Sequence, residues 1–111
     1  MATAQLSSNG NGAAPRTEER VGTLIIGSGF SGLGMGIKLR SRGDEDFVIV
    51  EKADSVAGTW RENTYPGCAC DVPSHMYSFS FAPNPDWSQM YAPQQEIWDY
   101  LEDVADRYGV R

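Results

Sequence analysis

Histidine occurs once in the 111 residues and cysteine twice, so soft metal ligands are nearly absent. Structural zinc usually takes four ligands, with spacings such as C-x2-C and a second cluster. Cys68-Ala69-Cys70 and His75 therefore read as two reduced thiols and a loop histidine, with no metal site. Cysteines one residue apart rarely meet disulfide geometry, and no disulfide framework is implied. Long hydrophobic runs are missing as well: nothing approaches the ~18 apolar residues of a membrane helix. Positive charge is scarce and scattered, with 9 Lys and Arg against 15 Asp and Glu and a net charge of −6. An acidic chain with no basic stripe argues against nucleic acid and anionic membranes as partners.

Large apolar side chains are also rare in residues 1–20, MATAQLSSNGNGAAPRTEER. Such a segment cannot bury enough surface to offset its ordering entropy, and a disordered tail is expected there. It has neither the apolar centre of a secretory signal nor the acid-poor, Arg-rich character of a transit peptide, which points to a cytoplasmic protein. The remaining residues, 21–111, suffice for one small domain that buries about 60 to 70% of its unfolded surface.

What is present begins at Val21-Gly22-Thr23-Leu24-Ile25-Ile26, a β-rich apolar run that suits a strand covered on both faces of a parallel sheet. From Phe30 to Arg42 the spacing turns helical, with Phe30, Leu33 and Ile37 on one side and Gly43 where a helix C-terminal glycine belongs. Phe47-Val48-Ile49-Val50-Glu51 reads as a second buried strand. Strand, helix and strand in about 31 residues is one βαβ unit. Residues 52–91 lack periodicity and are rich in Gly, Pro and aromatics; so long a segment is expected to be an ordered, functional loop packed on something large. Pro93, Glu96 and the Ile97, Leu101, Val104, Tyr108 spacing then predict a helix ended by Gly109.

The chemistry sits in GSGFSG, Gly27 to Gly32. A G-x-G-x-x-G alone is weak, but here a strand precedes it, a helix and second strand follow, and Glu51 lies 19 residues after Gly32. Gly27 permits the tight turn, Gly29 lets a pyrophosphate approach the backbone, and Gly32 permits close helix–strand contact. The helix N-terminus offers N–H groups and partial positive charge to phosphates, with the hydroxyls of Ser28 and Ser31 in reach. Glu51 can accept two hydrogen bonds from a ribose diol and disfavours a 2′-phosphate, which selects FAD or NAD over NADP. A glycine turn that binds nothing is the competing reading, but it leaves the acid at the strand end without a purpose.

Beyond Glu51 the sequence EKADSVAGTWRENTYPGCACDVPSHMYSFSFAPNPDW resembles the class B flavoprotein monooxygenases, in particular the Baeyer–Villiger type, over about Val21 to Arg111. Family members carry G-G-T-W after the ribose-binding acid, then N-x-Y-P-G and D-V-P-S. Here Ala57 replaces the first glycine, an exchange that is mild unless a positive φ is required. The resemblance implies a Rossmann-like α/β fold: an FAD-binding βαβ unit in an incomplete parallel sheet, with a long ordered loop and a C-terminal helix. It implies that Phe30, Lys52, Gly58, Thr59, Trp60 and Tyr77 join the glycine loop and Glu51 around FAD. Asp71 would lie near the isoalloxazine as the catalytic residue, paired in the family with an arginine from later in the chain. Ala69 and Cys70 would also meet the nicotinamide cofactor. Taken alone, Asp71 reads as a turn or cap residue, and Phe79 and Phe81 as core aromatics of a short strand.

The activity implied is an NADPH-dependent oxygen insertion next to a ketone through a C4a-peroxyflavin, with a ketone-like small molecule and O2 as substrates. An N- or S-hydroxylating flavin monooxygenase and a non-catalytic remnant are the alternatives. The second glycine fingerprint for NADPH and the family's F-x-G-x-x-x-H segment do not occur in the sequence. Two strands and two helices would leave both sheet edges open. The chain is accordingly expected to be the N-terminal portion of a longer enzyme.

Overall fold

The computed structural model describes residues 18–110 and, as backbone, Ala2–Gln5. Its elements are strands β1 (Ala2–Gln5), β2 (Thr23–Ile26) and β3 (Phe47–Glu51), and helices α1 (Phe30–Ser41), α2 (Thr59–Glu62) and α3 (Gln94–Arg107), with a 3-10 turn at Ser74–Met76. The three strands form one parallel sheet in the order β1-β3-β2. The βαβ unit and the terminal helix thus fall where the apolar spacing predicts them, β3 to the residue.

Within the segment expected to be a disordered tail, Ala2–Gln5 form a strand. Ala2–Gln5 pair with Val48–Glu51 in parallel register, while residue 1 and residues 6–17 lie outside the described residues. Hydrophobic periodicity cannot anticipate this pairing, because what draws the segment in is backbone: β3 presents an unpaired row of N–H and C=O groups. β3 is therefore central, and the sheet has three strands where two with both edges open were expected.

α1 covers one face of the sheet. Leu33 and Ile37 pack against Phe47 and Ile49, all at most 3% exposed. Leu24 and Ile26 point to the other face and are 57% and 77% exposed, with Ile25 buried between them. The expectation that β2 is covered on both faces fails for a plain reason: the described residues place no helix over the second face.

The long segment after β3 is ordered by this chain's own side chains. Tyr100, buried on α3, accepts a hydrogen bond from the Phe79 N–H (2.9 Å) and donates to the Ala82 carbonyl (2.7 Å). Tyr108 donates to the Phe81 carbonyl (3.0 Å). Phe79 and Phe81 stack with centroids 4.9 Å apart but lie in a turn rather than on the expected strand. Farther along, the Ser74 hydroxyl donates to the carbonyls of Gln89 (2.8 Å) and Met90 (2.9 Å), and the Cys70 N–H donates to the Ala92 carbonyl (2.9 Å). These bonds fold residues 69–92 back to the start of α3. Ile97, Leu101 and Val104, all fully buried, supply its apolar stripe. Arg40 Nη1 donates to the carbonyls of Gly109 (2.8 Å) and Tyr108 (3.2 Å), a cationic cap on the end of α3 carried by α1.

Removing the Tyr100 hydroxyl leaves one N–H and one carbonyl in the loop without their partner. Tyr100→Phe is expected to lower stability by about 1–3 kcal/mol, read as a shift in the urea midpoint at unchanged slope.

Candidate functional site

The glycine loop joins the end of β2 to the start of α1. Gly27 has φ +96°, a left-handed conformation that costs a side-chain-bearing residue about 1–2 kcal/mol. Gly32 is required by contact rather than conformation, since a Cβ there would collide with the Gly27 carbonyl. At Gly27 and Gly29 an added Cβ would meet nothing within 4 Å. The loop is thus packed tight on its inner side and open on its outer side. Helix α1 starts at this opening, with no side-chain cap and no acid in its first turn, so its positive end is uncompensated.

A cavity of about 320 Å³ occupies the open side. Its floor is the glycine loop with Ser31 and Gly32; its walls are Phe30, Thr59, Trp60 and Tyr77. The aromatic wall is cross-braced by hydrogen bonds and ring contacts. Trp60 Nε1 donates to the Tyr77 hydroxyl (3.0 Å), the Phe30 and Tyr77 rings meet edge to face at 4.8 Å, and Gln94 Nε2 donates to the Trp60 carbonyl. Ligand pockets commonly span about 300–1,000 Å³, so this volume suits part of a dinucleotide.

Ala57 and Gly58 roof the loop. The Ala57 N–H donates to the Ser28 carbonyl (2.9 Å), and a Cβ on Gly58 would lie 3.6 Å from the Gly29 Cα. Ala57 has φ +90°, the only positive φ of a non-glycine among the described residues. The replacement of the family glycine is therefore a strained one, with the strain held against the glycine loop.

Glu51 and Ser28 lie behind the loop and are bonded to each other. Ser28 is fully buried; its hydroxyl donates to Glu51 Oε2 (2.6 Å), as does its N–H (3.0 Å). It does not reach toward the cavity, as the sequence suggested. Glu51 is 8% exposed and accepts a further bond on Oε1 from the Ala53 N–H (3.1 Å). Burial raises its pKa, but the Ser28 hydroxyl, the Ala53 and Ser28 amides and the Arg61 charge outweigh it and hold the group below its ordinary 4.5.

Of the residues expected at the site, the cavity brings together Gly27, Gly29, Phe30, Ser31, Gly32, Thr59, Trp60 and Tyr77. Lys52, Ala69 and Asp71 are exposed and Cys70 is buried, and none of the four lines it. Ile26 and Ala57 line it without having been expected to. For Ala57 the signal existed, as the one position where the G-G-T-W stretch departs from the family pattern.

Replacing Ala57 by glycine relieves about 1–2 kcal/mol of backbone strain. It also frees the unfolded chain by about 0.4–1 kcal/mol and exposes a cavity of one methyl, about 0.8 kcal/mol. These offset, so Ala57→Gly should leave the melting temperature nearly unchanged, while Ala57→Val, branched and strained in a buried position, should lower it by well over 5 °C.

A carboxyl held low in the folded state contributes stability above about pH 4.5 and loses it as pH falls through the folded value. Urea unfolding between about pH 3 and 6 should show this acid limb, and Glu51→Gln should flatten it.

Residues 25–93 match the model of the NAD(P)-binding Rossmann-like domain. Over 96 residues, 86% of its length, the chain is 58% identical to a Baeyer–Villiger monooxygenase of Streptomyces coelicolor, of which it covers 18%. Among solved structures it superposes on oxidized steroid monooxygenase bound to NADP with a TM-score of 0.77 and 42% identity, over 82% of this chain and 18% of that one. An FAD-bound form of OTEMO gives 0.75 and 30% identity over the same shares. The chain thus spans about a fifth of the length of the proteins it matches. No helix among the described residues is long and apolar enough to cross a membrane. The chain belongs to the NAD(P)-binding Rossmann-like domain family, and most of its length is similar to one part of the Baeyer–Villiger monooxygenases.

Proposed function

We propose that this chain is the part of an FAD- and NADPH-dependent monooxygenase, of Baeyer–Villiger type, that holds the ADP half of FAD. One observation carries the reading: a glycine loop with its open side against a helix N-terminus, roofed by Ala57–Gly58 and walled by Phe30, Trp60 and Tyr77. The loop amides and the end of α1 would bind the pyrophosphate. Glu51 would take the adenosine ribose, and its negative charge rejects a 2′-phosphate at this position. Thr59, Trp60 and Tyr77 would bound the way toward the flavin and exclude water from it. Bound FAD supplies the redox and oxygen-activating chemistry.

Asp71 would belong to the same site in the longer enzyme. It is exposed here, and a partner cation supplied by a further part of such an enzyme would cover it. The ketone-like substrate, O2 and NADPH are the reactants of that whole enzyme, and the cytoplasm is its proposed compartment. A ketone is favoured over an N- or S-substrate by the G-T-W and D-V-P-S stretches around Trp60 and Asp71.

The test uses the chain of 111 residues, mixed with FAD, desalted and examined by flavin absorbance and fluorescence. Retained FAD without NADPH-dependent O2 consumption is expected. Gly29→Val adds a side chain where the structure has open space, so it should weaken FAD by about tenfold or more with little change in melting temperature. No retained flavin, or equal binding by Gly29→Val, overturns the proposal.

A further inference from the structure

Two strands have a claim on one edge of the sheet. The order is β1-β3-β2, all parallel, so β1 and β2 flank β3. The step from β2 through α1 to β3 is one βαβ crossover, and such crossovers are right-handed in nearly every case. α3 lies on the same face as α1: Leu33 and Ile37 share one buried cluster with Ile97, Leu101 and Val104, and Arg40 of α1 bonds the end of α3. A second right-handed crossover, from β3 through α3, therefore delivers its strand beside β3 on the side away from β2, in the 3-2-1 order of a dinucleotide-binding half-sheet. Ala2–Gln5 already lie there, with Ala2 in register with Val48 and Gln5 with Glu51. They come to that place from before β2 in the chain, outside the βαβ succession. We infer that Ala2–Gln5 is an exchangeable strand, which holds the β3 edge until an extended, apolar segment following α3 in the longer enzyme takes it.

The inference rests on the reading of this chain as one part of a longer flavin enzyme. The backbone identifies the groups for which the two strands compete. Each residue of a strand turns its N–H and C=O to one side, and the sides alternate. The Asp46 carbonyl accepts from the Thr23 N–H (3.1 Å) and the Val50 carbonyl from the Gly27 N–H (2.8 Å), both on the β2 side. Val48 and Val50 hence pair with β2, and the backbone groups of Phe47, Ile49 and Glu51 face the β1 edge. In the parallel register the groups opposite Ile49 and Glu51 belong to Ala2 and Ala4. The resident is a weak holder of this edge. Ala2-Thr3-Ala4-Gln5 has no large apolar residue and one β-branched residue, Thr3, in register with the fully buried Ile49. Backbone pairing favours neither strand, since both offer the same hydrogen bonds. A segment with Val or Ile at the register position of Ile49 adds apolar burial to them, and this decides the exchange.

The experiment has two arms on the full chain of 111 residues. In the first, amide hydrogen exchange is followed by NMR in the wild type and in Ala4→Pro, which removes the N–H that Ala4 presents to β3. The Ile49 and Glu51 amides should exchange about tenfold or more faster in the variant, while those of Val48 and Val50 stay protected by β2. Unchanged exchange at Ile49 and Glu51 overturns the resident strand. In the second, the incoming strand is represented by a labelled synthetic peptide of the ~20 residues that follow the matched region in the Streptomyces coelicolor monooxygenase, enough for one strand and its flanks. Binding is read by anisotropy, and exchange is repeated with peptide bound to the wild type, which needs no variant to fold. The Ala4 amide should lose its protection while Ile49 keeps its own, and the peptide should bind Ala4→Pro about tenfold more tightly, because that edge is already vacated. Ala4 still protected with peptide bound, equal affinity for the two chains, or no binding to either overturns the exchange. The same samples are mixed with FAD and desalted: retained flavin without peptide binding overturns the exchange and leaves the FAD reading standing, and peptide binding without flavin does the reverse.

Discussion

The close approach of α1 to the sheet is the constraint on which the remaining geometry depends. Gly32 lies against the Gly27 carbonyl with no room for a Cβ, and Leu33 and Ile37 are buried on Phe47 and Ile49. The tip of β3 then lies near enough for Glu51 to reach Ser28. Spreading the helix from the sheet would simultaneously loosen the turn, part the Ser28–Glu51 contact and open the cavity floor. Packing and loop shape are one arrangement here, since the residue that closes the helix–strand gap is also part of the glycine loop.

A second layer builds on the first. The segment from Lys52 to Tyr91 has almost no regular structure, yet its aromatics and hydroxyls are anchored on α1 and α3: Tyr77 on Phe30, Phe79 on Tyr100, Phe81 on Tyr108. Through Gln94, which donates to the Trp60 carbonyl, α3 reaches the cavity wall although no α3 residue lines it. Helix α3 therefore contributes to the site by holding the aromatic wall in register.

The βαβ unit was legible because it is local: a strand, a glycine turn and an amphipathic helix each leave a short-range pattern, and β3 was bounded by residue type at both ends. The turn at Gly27 and the close contact at Gly32 were legible for the same reason. The partners of Ser28 were not, because a hydroxyl beside a phosphate loop and a hydroxyl beneath it have the same sequence signature, and only the burial of Glu51 decides between them. The strand at Ala2–Gln5 left no trace in composition, since strand pairing runs through backbone groups that every sequence carries. The strain at Ala57 was visible as a departure from a family pattern, but its sign needed the φ angle. Asp71 shows the converse: motif position brought it into the proposed site, and the fold of these residues leaves it in solvent.

The uncovered face of β2 has a thermodynamic consequence. Leu24 and Ile26 stay largely in water whether the chain is folded or not, so they add little to the heat-capacity increment of unfolding, which scales with newly exposed apolar surface. A small sheet that the described residues dress on one side only has a shallow stability curve for its length. Its free energy of folding changes slowly with temperature, and cold weakens it less than it would a sheet covered on both sides.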